Sequence, residues 1–184
     1  MDELPKRKNT RLKGFNYSSV GCYFITICVK DKRDMLGRVV VGAASGRPDA
    51  PPSQPRMELS RYGKITKSWI CGISEKYPDV TIENHVIMPN HIHMILSIKE
   101  AGAQSGMGNG RPDAAPTAAV GRIIGYFKYQ TTKEIDINGF WQRSYHDHII
   151  RNEQEYHKIW NYVDENPIRW ATDCYFVENT LDPQ

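Results

Sequence analysis

Apolar residues recur along this chain with two periods, and the two periods predict different elements. From Gly21 to Lys30 the run Cys-Tyr-Phe-Ile-Thr-Ile-Cys-Val is β-branched, aromatic or otherwise apolar, the composition of a buried strand. Between Arg56 and Tyr77, Leu59, Tyr62, Ile65, Trp69 and Ile73 fall at three- and four-residue spacings, which predicts an amphipathic helix closed by Pro78. Val80 to Met88 and His91 to Lys99 then read as two strands joined by a tight Pro89-Asn90 turn. A second helix is predicted from about Ala118 to Ile135, with Val120, Ile123, Ile124, Phe127 and Ile135 on one stripe. Phe140 to Arg151 reads as a strand or irregular crossing. A third helix follows from about Glu153 to Glu165, with Asn152 as N-cap and Asn166-Pro167 as its end.

This order predicts an α+β sandwich, an antiparallel sheet with helices on one face as in split β-α-β folds. The opposite sheet face is then expected to be partly open. In an extended strand successive side chains point to opposite faces. Ile92, Met94, Leu96 and Ile98 therefore belong over the helices, and His91 and His93 project together toward the open face or a partner.

Length and composition narrow the class. At 184 residues the chain is expected to form one domain spanning 1–184, large enough for a core without disulfides or structural metal. Residues 42–55 and 101–116 are rich in Ala, Gly, Pro and Ser, and each contains Gly-Arg-Pro-Asp-Ala; both read as flexible loop insertions. Cys22, Cys28, Cys71 and Cys174 lack C-x-x-C or zinc-ribbon spacing, which fits a reducing compartment. The first 13 residues are polar and basic, and no stretch approaches the roughly 18 apolar residues of a membrane span, so a cytoplasmic protein with no membrane partner is expected. The net charge is only +3, too mild to announce a nucleic-acid partner. Its distribution says more: Lys6, Arg7, Lys8, Arg11 and Lys13 form a basic arm, and Arg122, Lys128, Lys133, Arg143 and Arg151 recur through the second half.

The candidate chemistry lies in two places. His91 and His93 present two imidazole nitrogens from one strand face, a pair able to hold a divalent cation while leaving positions for a polar residue, water or a phosphate oxygen. His146-Asp147-His148 is a second His-x-His and competes for the same role. On the third helix Tyr156, Ile159, Trp160 and Val163 form the packing stripe, while Tyr162 and Asn166 share a face about a quarter turn away. A phenolate can attack phosphorus and keep the energy of a broken phosphodiester in a covalent intermediate. A carboxamide oxygen is a suitable third metal ligand.

Five segments in order, Met88-Pro89-Asn90-His91-Ile92-His93, Phe127-Lys128, Trp141-Gln142-Arg143-Ser144-Tyr145, His148-Ile149-Ile150-Arg151-Asn152-Glu153 and Tyr162-Val163-Asp164-Glu165-Asn166-Pro167, resemble the single-tyrosine HUH transposases, most closely their REP-associated branch. The likeness runs from Gly14 to Trp170; the two Gly-Arg-Pro-Asp-Ala loops lie outside it. It implies a ferredoxin-like or RRM-like domain, usually dimeric, that cuts and rejoins single-stranded DNA beside a hairpin. The family's metal-binding histidines fall on His91 and His93, its nucleophile on Tyr162, and Asn166 takes the polar position one turn later, where many insertion-sequence members carry glutamine. The implied cofactor is Mg²⁺ or Mn²⁺, and the implied product a 5′-phosphotyrosine with a free 3′-hydroxyl. Arg122, Lys128, Arg143 and Arg151 are candidate phosphate contacts, and Trp141, Tyr145 or Phe127 candidate base platforms. Two other classes compete: a hairpin-binding protein of the same fold that does not cleave, and a small metal hydrolase that uses water and so keeps turning over without Tyr162.

Overall fold

The structure, a computed structural model, describes residues 21–40, 54–99 and 118–176. The basic arm and the segments 42–53 and 101–116 of the expected loops lie outside the described residues. Strand β1 (Gly21–Cys28) is followed by a two-stranded ribbon, β2 (Gly37–Val40) and β3 (Arg56–Leu59), then by helices α1 (Arg61–Cys71) and α2 (Ile73–Lys76). Strands β4 (Val80–Ile87) and β5 (His91–Ile98), helix α3 (Ala118–Ile135), strand β6 (His146–Ile150) and helix α4 (Glu153–Glu165) complete the order. The main sheet is β4-β5-β1-β6, with all pairings antiparallel. The α+β class and the antiparallel sheet are those the sequence predicts.

One face of the sheet carries the larger core. Tyr23, Ile25 and Ile27 of β1 and Ile92, Met94, Leu96 and Ile98 of β5 pack against Ile70 and Ile73 and against Val120, Ile123, Ile124 and Phe127 of α3. Strand β4 joins this face with Val80 and Ile82, and a bulge between Ile82 and Asn84 then changes its parity. After the bulge Ile87 pairs with Ile92 on the core side, whereas Asn84 and Val86 turn to the other face opposite Ile95 and His93. There Asn84 Nδ2 donates to Asp164 of α4 at 2.8 Å.

Two expectations need correction. The helix predicted from Arg56 begins at Arg61, because Arg56–Leu59 pairs with Gly37–Val40 as a ribbon. Ser60 caps the helix, its Oγ accepting from the Tyr62 and Gly63 amides and donating to Met35 O at 2.6 Å. Leu59 keeps helical spacing with Tyr62 and still reaches the core, but from a strand. Second, the face carrying the histidines is covered. Alpha-helical residues Tyr156, Ile159, Trp160 and Val163 of α4 pack there on Ile95, Ile150, Cys22, Phe24 and Val86. While α1 and α3 share one face as expected, α4 lies on the other, since its apolar stripe also needs a surface to bury. No described helix is long and apolar enough to cross a membrane.

Candidate active site

His91 and His93 enter the site from the start of β5, opposite Cys28 and Thr26 of β1. Both are fully buried. Each ring has its Nδ1 engaged: His91 Nδ1 meets Asn90 Oδ1 at 2.9 Å, and His93 Nδ1 meets Thr26 Oγ1 at 2.8 Å. The two Nε2 atoms are thereby turned toward each other, 3.0 Å apart. The amide oxygen of Asn90 can only accept, so His91 carries its proton on Nδ1 and its Nε2 lone pair accepts from His93. Burial, with Lys32 nearby, pushes His91 down to about 3. His93 is pushed well below the usual range by burial and by His91, and Asp173 opposes this only in part. The pair is therefore neutral, the form that binds metals.

Helix α4 brings the other groups. Asn152 Oδ1 caps it by accepting from the Glu155 amide at 2.8 Å, and Glu155 in turn accepts from the Arg151 amide and meets His148. Two and a half turns on, the Tyr162 hydroxyl lies 3.3 Å from His93 Nε2 and donates to Asp173 Oδ2 at 3.2 Å. Burial first, then the Asp173 charge, pushes the phenol up to about 12. Phe24 stacks on His93 and meets Tyr162 edge-on, fixing both rings. Asn166 is buried at the end of α4; its Nδ2 donates to Asp173 Oδ2 at 3.3 Å, and its Oδ1 has no hydrogen-bond partner.

That orphaned oxygen is the test of whether these residues suit a cation. A buried amide oxygen without a donor is costly in a neutral protein and is satisfied by a positive ion. His91, His93 and Asp173 already gather their ligand atoms within 4.8 Å of one another. Two nitrogens 3.0 Å apart match adjacent ligands on one ion bound at about 2.1 Å. Freeing His93 Nε2 requires its proton on Nδ1, and the Thr26 hydroxyl accepts there as readily as it donates. The donor set of imidazole nitrogens, carboxylate and carboxamide therefore fits a divalent cation.

The chain after α4 closes the site. Tyr175 lies with its ring centroid 4.5 Å from that of His91, and Asn90 Nδ2 donates to its carbonyl at 2.9 Å. Trp170 flanks the same imidazole. Together they shut His91 off from solvent.

Of the residues singled out from the sequence, His91, His93, Tyr162 and Asn166 come together. The competing pair does not join them: His146 and His148 are exposed on edge strand β6, with His148 against Glu155. Arg122, Arg143 and Arg151 are exposed. Lys128 instead donates its ammonium to the carbonyls of Gln142 and Ser144, at 2.8 and 2.9 Å. Phe127 and Trp141 are core residues, and Tyr145 is half-buried beside Lys128. The sequence reading missed Asp173. It lies past Asn166-Pro167, just after the short Trp170–Thr172 turn, in a stretch whose sequence carries no periodicity to mark it.

No protein-family model matches the chain. A Haemophilus influenzae protein described as uncharacterized is 34% identical over 184 residues, covering 94% of this chain and 94% of its own. A REP-associated tyrosine transposase solved bound to a REP hairpin superposes with a TM-score of 0.56 at 18% identity, over 91% of this chain and 74% of that one. This likeness shows a shared fold. A Deinococcus radiodurans R1 protein described as a transposase gives a TM-score of 0.44 at 14% identity, over 84% of this chain and 97% of that one.

Proposed function

The chain belongs to one family with the Haemophilus influenzae protein and has the fold of a REP-associated tyrosine transposase, and from that premise we propose that it is a single-tyrosine HUH transposase that cleaves and rejoins single-stranded DNA beside hairpins. The observation that carries the reading is the Tyr162 hydroxyl, 3.3 Å from a buried neutral imidazole and 3.2 Å from a carboxylate. Nucleophile, proton acceptor and metal donors converge from β5, α4 and the chain beyond it.

In the proposed reaction the phenol proton passes to Asp173 Oδ2 as the Tyr162 oxygen bonds to phosphorus, and the bond to the 3′ oxygen breaks. The departing 3′ oxygen takes up a proton from solvent water to give a 3′-hydroxyl, and the DNA 5′ phosphate stays on Tyr162. Reversal by another 3′-hydroxyl rejoins the strand without ATP. His91, His93 and Asn166, with Asp173 alongside, would hold Mg²⁺ or Mn²⁺, which would polarise the scissile phosphate and offset its developing charge. Asn90 and Thr26 orient the imidazoles, as outer-shell partners do in metal sites. Phe24 keeps the phenol beside His93. Arg122, Arg143 and Arg151 are proposed to contact flanking phosphates, while Lys128 holds the 142–144 segment. Hairpin DNA is the proposed partner, and a homodimer the proposed assembly.

The test is incubation with labelled hairpin DNA carrying single-stranded flanks and Mg²⁺ or Mn²⁺, read on a denaturing gel. The expected result is a protein-linked product with the native chain and none with Tyr162→Phe. Cleavage that persists in Tyr162→Phe makes water the nucleophile. Tight binding with no linked product leaves a hairpin-binding protein.

A further inference from the structure

The aromatic residues first considered as base platforms are largely inside the protein, yet one tyrosine stands out from it. Tyr129 on α3 is 66% exposed, the most exposed of the large apolar side chains among the described residues. It borders a cavity of about 510 Å³ between the last turns of α3 and the 138–143 segment, lined also by Lys133, Asn138, Trp141, Gln142 and Arg143. Trp141 forms a fixed wall, its indole donating to Thr131 Oγ1 at 2.7 Å. Lys128 clamps the carbonyls of Gln142 and Ser144, so the opposite side is held as well. Lys133 and Arg143 are exposed and lie within ion-pair distance of no carboxylate among the described residues, although Asp136 shares the cavity. The stem of Lys30 approaches the rim at Gly139.

The cavity is tied to the reacting centre through main chain. The Gln142 amide donates to Cys28 O at 2.9 Å, and Cys28 is the register partner of His91. Two strand spacings, about 10 Å, therefore separate the Gln142 and His91 backbones.

Resting on the proposed function, we infer that this cavity binds an unpaired nucleotide of the cleaved strand's flank, with the base on the Tyr129 ring and neighbouring phosphates at Lys133 and Arg143. An exposed aromatic ring stacks on any base, and the carboxamides of Asn138 and Gln142 offer donors and acceptors to its edge. Free cations on the rim complement the backbone. A paired base cannot use the site, because its faces are covered by its neighbours in the duplex.

The experiment measures binding by fluorescence anisotropy for two labelled DNAs, a blunt hairpin and the same hairpin with a single-stranded flank. The native chain is expected to prefer the flanked hairpin. Tyr129→Ala is expected to bind the flanked DNA about ten-fold more weakly, the size of one lost base stack, and the blunt hairpin as the native chain does. Tyr129→Phe keeps the stack and is expected to restore native binding. Equal affinity of Tyr129→Ala and the native chain for the flanked DNA overturns the inference, as does equal weakening on both DNAs. Because the readout is binding, failure of this inference leaves the linked product at Tyr162 intact, and failure of that product leaves the flank preference measurable.

Discussion

Lys128 shows how a residue's surroundings decide its work. Basic residues on a helix read as phosphate contacts, but this one lies half-buried beside Tyr145, with its ammonium on two main-chain carbonyls. Burial pushes it down to about 8, and Cys28 opposes that shift. Lys128→Met is expected to cost about 1–3 kcal/mol at neutral pH, because the carbonyls of Gln142 and Ser144 lose their donor. The pH dependence has a definite sign. The folded value, about 8, lies below the ordinary 10.5, so between them the unfolded chain binds more protons and this lysine's contribution to stability rises with pH. The stability gap between native and variant chains, measured by denaturant titration, should therefore widen from pH 7.5 to pH 10. A gap that narrows would mean the carbonyl bonds outweigh burial. At the same scale, spacing placed His91 with His93 and Tyr162 with Asn166 on shared faces, since strand and helix periods fix which side chains project together, while the resemblance to the HUH transposases singled out Tyr162 among the tyrosines. Asp173 was not, because no period governs the chain beyond Pro167.

Helix α4 is the element on which the site depends, for it delivers both Tyr162 and Asn166. Its limits were readable because a strong cap, Asn152, and a terminating Asn166-Pro167 bracket a clean apolar stripe. Asn152→Ala is expected to lower stability by about 1 kcal/mol, seen as a lower denaturation midpoint with an unchanged slope. Helix α1 was misread at its start because Leu59 keeps the helical spacing, whereas Ser60 is the true boundary. The ribbon β2–β3 was missed for a related reason: four-residue strands carry too few alternations to register. The bulge in β4 is equally silent in sequence, yet it turns Asn84 toward Asp164 and so helps seat α4.

For the whole molecule, the strand order β4-β5-β1-β6 puts the His91 end of β5 in the interior of the sheet, and α4 returns over it. Tyr162 thus reaches His93 of its own chain. A homodimer, proposed by likeness to the family, is not needed to complete a site. Mixing His93→Ala with Tyr162→Phe chains is therefore expected to restore no linked product on the denaturing gel. Recovery of product in the mixture would show that subunits exchange their tyrosines.

By itself the sequence determined the types of the longer elements, the antiparallel α+β class, the shared face of the two imidazoles and the pairing of Tyr162 with Asn166 on one helix. These follow from short-range periods of two and 3.6 residues. Only the tertiary structure decided that α4 crosses to the histidine face, that Asp173 joins the phenol, that Lys128 supports main chain, and that Tyr129 rather than Trp141 meets solvent. Those outcomes depend on which surfaces remain to be buried once the sheet has formed, and a local pattern carries no record of that competition.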